Sequence, residues 1–200
     1  MKQWVYNNME QAPFNIILLG DPASGKGTQG VRLIKRYDLH DLDMGNEVRK
    51  SAVRAQFNYA KTTGMGKLTP TVIVRNIFAN VIAKTSARKG ILFNGNPKMI
   101  NEAKLVKRLL KQSGRRDPLV IYITLPEKET IARMHGRGRE DDTLKALKNR
   151  QKYYKEQVSQ VVRFFKDHYV VKNISGMGSE TVVAKRIEEV METYIKNHGA

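Results

Sequence analysis

Two hundred residues with 36 Lys and Arg, 19 Asp and Glu and no cysteine describe one domain, large enough to bury about 70% of the surface its unfolded chain exposes. The missing cysteines exclude disulfides and thiolate zinc or iron–sulfur sites, and the scattered His40, His135, His168 and His198 offer no metal cage. No apolar run approaches the ~18 residues of a membrane helix, and the N-terminal MKQWVYNNMEQAP lacks the apolar stretch of a signal peptide, so a cytoplasmic chain is expected.

In chain order, Phe14–Leu19 is a short apolar run ended by Gly20, which reads as a buried strand. A helix follows over Gly25–Tyr37, then a short strand at His40–Leu42. Asn46–Tyr59 and Pro70–Lys84 read as helices, the second with Val72, Ile73, Ile77 and Val81 on one side. Ile91–Phe93 is a third strand, Asn101–Lys111 a helix, Leu119–Thr124 a fourth strand and Glu127–Met134 a helix. One long helix is expected over Asp141–Asp167, with a stripe of Leu144, Leu147, Tyr154, Val158, Val161 and Phe165 that Gln151 interrupts. The stripe lasts only about three heptads, so it reads as a helix packed on a sheet rather than a coiled coil. Tyr169–Ile174 and a helix over Glu180–Lys196 close the chain. Strands alternating with helices imply an α/β fold: a five-stranded parallel sheet with helices on both faces.

The first strand runs into Gly20-Asp21-Pro22-Ala23-Ser24-Gly25-Lys26-Gly27-Thr28. This fits G-x-x-x-x-G-K, with Gly27 in the usual Ser/Thr position. A glycine-rich turn with an exposed lysine would match the bare pattern. The strand–loop–helix setting makes it a P-loop, in which backbone N–H groups wrap a phosphate and Lys26 reaches the β- and γ-phosphates.

With Gln29 added, G-x-P-x-x-G-K-G-T-Q resembles the adenylate kinase family of nucleoside monophosphate kinases. The rest of the chain follows that family in order. Met44-Gly45-Asn46-Glu47-Val48-Arg49 stands for T-G-D-x-x-R, and Gly66-Lys67-Leu68-Thr69-Pro70 for G-x-L-V-P. Gly90-Ile91-Leu92-Phe93-Asn94-Gly95-Asn96-Pro97-Lys98 stands for G-F-x-x-D-G-F-P-R. Arg133-Met134-His135-Gly136-Arg137 stands for R-x-x-G-R, and Arg139-Glu140-Asp141-Asp142 with Arg150 and Tyr154 for R-x-D-D and its arginine and tyrosine. The resemblance covers Phe14 to about Ile195.

The resemblance implies a P-loop NTPase-type core (13–44, 76–133 and 140–200) with a small helical monophosphate-binding insertion at about 45–75. A minimal lid turn lies at about 134–139, too short for a zinc-holding lid domain. Gly25, Lys26, Gly27, Thr28, Arg133 and Arg137 would bind ATP. Met44, Gly45, Arg49, Leu68, Gly95, Lys98, Glu102, Arg139 and Arg150 would bind the monophosphate. Lys26, Arg137, Arg139 and Arg150 would be catalytic, since phosphoryl transfer needs in-line positioning and positive charge on the equatorial oxygens. Mg²⁺ would accompany ATP with no direct protein ligand. The expected reaction is ATP + AMP ⇌ 2 ADP, by a monomer in preference to an oligomer. The alternatives are the same transfer to GMP, CMP or UMP, or a degenerate nucleotide-binding protein.

The chain departs from the family at several of these positions. Asn94 replaces an aspartate that holds magnesium through water; it keeps an acceptor oxygen that could reach the ion the same way but loses the charge, which lowers the expected affinity, and Asn46 replaces another aspartate near the same centre. Asp43 and Glu47 are the nearby carboxylates that could restore the charge. Lys98 replaces an arginine, a point charge for a fork. Met44 replaces a threonine, and Glu102 the glutamine that reads adenine; an ionised Glu accepts but cannot donate. Ala23 replaces a loop glycine, a minor change if its backbone torsions are ordinary. Asp141 and Asp142 read as a favourable helix start that orients arginines rather than as a metal pair.

The net charge of +17 divides as +9 over 1–100 and +8 over 101–200, so it is not a basic tail. Such a chain attracts polyanions. No basic run is interleaved with aromatics, so the expectation is a solvated surface, with neither nucleic acid nor membrane as a partner.

Overall fold

The computed structural model describes residues 13–50, 53, 55, 57, 58, 69–135 and 154–198. Its five strands are β1 (Ile16–Gly20), β2 (His40–Asp43), β3 (Ile91–Asn94), β4 (Leu119–Thr124) and β5 (Val171–Ser175). They form one parallel sheet in the order β2-β3-β1-β4-β5. β1 lies at the centre and every one of its residues is buried, as an aliphatic strand covered on both faces must be.

Successive side chains of a strand point to opposite faces, and two apolar layers result. Ile17, Leu19, Leu42, Phe93 and Val120 face one layer, completed by α2 (Met44–Arg49), α3 (Thr71–Lys84), α4 (Ile100–Gln112) and α6 (Ser159–Lys166). Ile16, Leu18, Leu92, Leu119, Ile121 and Ile123 face the other, completed by α1 (Lys26–Tyr37) and α7 (Glu180–His198). The remaining helix, α5 (Glu127–His135), follows β4. The chain leaves β1 for β2, returns to β3 beside β1, then crosses to β4 on the other side. That reversal opens a crevice at the carboxyl ends of β1 and β3, where open α/β sheets bind ligands.

Several helices differ from the sequence reading. α2 starts at Met44 rather than Asn46, because Asp43 caps it: its carboxylate accepts from the Asn46 N–H at 3.2 Å. It spans Met44–Arg49; of the rest of the helix expected to Tyr59, Val53 is helical, and residues 51, 52, 54, 56 and Tyr59 lie outside the described residues. α3 buries Ile73, Val74, Ile77, Phe78 and Ile82 and leaves Val72 61% exposed. Phe78, the bulkiest apolar residue of the helix, sets the inward face, and Val72 lies off it. α3 starts at Thr71, so the expected boundary between insertion and core at 75–76 falls inside one helix. α5 runs to His135, so the expected lid turn begins with two helical residues. Of the helix expected over Asp141–Asp167, residues 141–153 lie outside the described residues; the rest is helical, a π-helical turn at Tyr154–Val158 running directly into α6. Val158, Val161 and Phe165 are buried as the stripe requires; Leu144, Leu147 and Gln151 lie outside the described residues.

Candidate functional site

The crevice holds a cavity of about 530 Å³ lined by Ala23–Thr28, Asp43, Gly45, Arg49, Asn94–Asn96, Lys98 and Arg133. Its donor wall is the P-loop. The loop is tied at its start to the sheet, where the Asp21 N–H donates to the Ile123 carbonyl at 2.9 Å, and at its end to α1, where the Gln29 N–H donates to the Gly25 carbonyl at 3.0 Å. The Asp21 carboxylate accepts from the Tyr122 hydroxyl and from the Leu125 N–H, each at 2.7 Å. Gly25 turns the loop into α1 at φ +88°, a conformation open to glycine without cost.

Ala23 also sits in the left-handed region, at φ +57°. The torsions are therefore not ordinary, and replacing the family glycine places a strained residue in the loop. The Lys26 ammonium donates to the carbonyls of Gly20 at 2.6 Å and Asp21 at 2.7 Å, and its side chain passes Gly95 across the cavity.

The acceptor wall is built differently. Asn46, held by the Asp43 cap, accepts from the Arg49 guanidinium at 2.5 Å. A neutral amide thus aims the arginine without neutralising it. Gly95, at φ +72°, donates its N–H to Leu18 at 2.8 Å, and a cis Asn96–Pro97 bond leads to Lys98. Asn94 pairs in register with Asp43, and its amide donates to Asp41 at 3.4 Å. Gly30 of α1 lets this group in, since a Cβ there would stand 2.8 Å from the Asn94 amide nitrogen. Burial, and then the neighbouring Asp43 carboxylate, raise the Asp41 carboxyl above its ordinary range.

Arg133 closes one side. Its Nε donates to Glu129 at 2.6 Å and its Nη1 to the Gly176 carbonyl at 3.2 Å.

Of the predicted site residues, Gly25, Lys26, Gly27, Thr28, Gly45, Arg49, Asn94, Gly95, Lys98 and Arg133 share this cavity. Met44 and Glu102 do not. Met44 is buried in the apolar layer with Leu42 and Val48. Glu102 is 3% exposed, and its carboxylate accepts from the N–H groups of Lys98 at 2.9 Å and Met99 at 3.2 Å. It caps the start of α4, as a Glu three residues into a helix does. Burial raises its pKa despite those bonds and the Lys98 charge. Leu68, Arg137, Arg139 and Arg150 lie outside the described residues.

The sequence reading missed Asp21, Asp41 and Glu129, and underrated Asp43. Asp43 was legible as a helix cap three residues before Asn46. The partners of Asp21 are more than 100 residues away, and no local pattern marks them. Gln29, read only as part of the motif, is 2% exposed and donates to the Glu180 carbonyl, tying α1 to α7.

A parallel sheet in this order, a P-loop at the end of its central strand and a basic wall opposite define a P-loop nucleotide phosphotransferase. Comparison with known proteins narrows this. A family model described as adenylate kinase matches residues 18–170. The chain is 28% identical to the adenylate kinase of Bacteroides fragilis over 187 residues, covering 90% of the chain and 98% of the relative. It is 28% identical to that of Porphyromonas gingivalis over 190 residues, covering 91% and 97%. It is 30% identical to that of Parabacteroides distasonis over 185 residues, covering 88% and 97%. The chain belongs to the adenylate kinase family and is an enzyme of nucleotide phosphotransfer. Among the described residues no helix is long and apolar enough to cross a membrane.

Proposed function

We propose that the enzyme moves the γ-phosphoryl group of ATP directly to AMP, giving two ADP. The observation that carries this reading is that Lys26 on one wall and Arg49 and Lys98 on the other face a single cavity. An oxygen of the AMP phosphate attacks the γ-phosphorus, and the bond from that phosphorus to the β–γ bridging oxygen breaks, with no covalent enzyme intermediate. The P-loop N–H groups and Lys26 hold the ATP phosphates, while Arg49 and Lys98 hold the acceptor phosphate. Such fixed positive charge lowers the barrier because it is in place before charge develops. Arg133 lies on the ATP side, and Arg137, Arg139 and Arg150 keep the roles that the resemblance gives them around the transferring group.

The cavity also suits Mg²⁺. Thr28, Asp43 and Asn94 all line it, and their side chains carry hard oxygens of the kind that holds this ion together with phosphates and water. Asp43 is the carboxylate on that wall in place of the missing aspartates. When bound, the ion would neutralise charge on the ATP phosphates.

A coupled assay of ADP formation from ATP with AMP, GMP, CMP or UMP tests the reading. AMP should be the best acceptor. Faster turnover with another monophosphate would correct the acceptor, and no turnover with any of the four would overturn the reaction.

A further inference from the structure

Counted by halves, the positive charge is even; counted along the chain, it is not. Residues 48–116 hold 16 of the 36 Lys and Arg but one of the 19 Asp and Glu, a local balance of +15 that leaves +2 for the rest. That one carboxylate, Glu102, is buried at the start of α4 and offers nothing to the surface.

The fold gathers part of this charge on one face. α3 and α4 pack side by side over the same apolar layer. The Arg115 guanidinium donates to the carbonyls of Thr85, Ser86 and Lys89, which fastens the turn after α3 against the end of α4. Exposed Lys84 and Arg88 are thereby brought to the end of α4 that carries Arg108 and Lys111. Along α4, Lys104, Lys107, Arg108 and Lys111 recur at the spacing of one helix face, and among the described residues none of the four pairs with a carboxylate. The opposite side of the sheet differs: Arg36 of α1 pairs with Glu188 at 2.6 Å and with Glu192 at 3.8 Å, both on α7. Like charges three and four apart repel one another, so the α4 stripe costs the helix stability that nothing within the described structure returns.

We propose that the α3–α4 face binds the phosphate backbone of duplex nucleic acid without regard to sequence, apart from the nucleotide cavity. Charge complementarity chooses a polyanion, and the residues between the cations choose which. The aromatics between 71 and 116 are Phe78 and Phe93, both fully buried. The face therefore has no ring to stack on unpaired bases and no aromatic anchor for a bilayer. A convex helix with cations on its outer side suits a groove between phosphate ridges.

Fluorescence polarisation of the full chain with a labelled mixed-sequence duplex of about 20 base pairs tests this. With about five phosphates neutralised, affinity should fall roughly 500-fold between 50 and 200 mM salt. The variant K104Q/K107Q/R108Q/K111Q should bind at least tenfold more weakly with a shallower salt slope, while its phosphotransfer stays within twofold of the parent. The variant R32Q/K35Q/K185Q/K196Q loses the same charge from α1 and α7 and should bind the duplex as the parent does. Should the α4 variant lose phosphotransfer as well, the single changes K104Q and R108Q decide, each expected to lower the salt slope by about one. No duplex binding at 50 mM salt, equal loss in both quadruple variants, or capture by phosphatidylserine vesicles without duplex binding would each overturn the proposal.

Discussion

The two walls of the cavity are held by different means. The donor wall is a backbone object: a loop whose amides are aimed by a left-handed Gly25, by the Asp21 N–H bond to the sheet and by the inward-turned carboxylate of Asp21. The acceptor wall is a side-chain object: Asp43 holds Asn46, Asn46 holds Arg49, and Glu102 caps the helix that follows Lys98. A backbone site tolerates replacement of the side chains around it as long as the loop keeps its path. A site made of chained side chains changes character with each replacement, and it is there that this chain departs most from its family.

The largest expected effect lies on the donor wall. Lys26→Met should lower kcat by about 100-fold or more, as loss of one charge-stabilising donor does, with a smaller loss of stability from its two bonds to the loop carbonyls. Activity within a few-fold of the parent would mean that this lysine does not meet the transferring group. Next, Arg49→Ala should raise KM for the monophosphate about tenfold or more, the size of a lost charge-assisted hydrogen bond, with KM for ATP within about twofold. Equal changes in both would erase the distinction between the walls.

Asp21→Ala strips two hydrogen bonds from the underside of the loop and should cost about 2–3 kcal/mol in denaturant unfolding, with KM for ATP raised more than KM for the monophosphate. A loss confined to stability would show that the loop holds its path without this carboxylate. Ala23→Gly should act in the opposite direction. It relieves a left-handed alanine and adds about 0.5–1 kcal/mol of stability after the entropy of the extra glycine. A destabilised variant would mean that the torsion at this position carries no strain.

The smallest effect belongs to Glu102. Its carboxyl titrates above its ordinary value because burial outweighs the two N–H bonds and Lys98. The folded state thus holds this proton more tightly than the unfolded chain does. Stability from this group is complete below the unfolded pKa and falls as pH rises from there through the folded one. Glu102→Gln keeps an acceptor for the cap and should remove that fall. The variant should be the more stable at pH 7, with the difference vanishing below about pH 4, and its ranking of the four monophosphates should match the parent's. A re-ranked acceptor series would place this side chain at the base after all.

How much of this was legible follows the same division. The P-loop and the strands could be read because their signals are local: a glycine pattern after an aliphatic run, and β-rich segments bounded by turn residues. The parallel sheet followed from their alternation with helices. What escaped was set by distant partners or by torsion. The tie from Asp21 to Tyr122 and Leu125, the strained φ of Ala23 and the burial of Glu102 leave no mark on neighbouring residues. Val72 looked like core because a short apolar cluster does not reveal which way its helix is turned until Phe78 finds its place against Phe93.

That both walls serve one reaction is tested by a single ligand. Two adenosines joined through a chain of phosphates should bind one molecule per chain in calorimetry, compete with ATP and with AMP alike, and weaken in both Lys26→Met and Arg49→Ala. Competition with only one of the two nucleotides, or two molecules bound per chain, would contradict a shared cavity in which donor and acceptor phosphates meet.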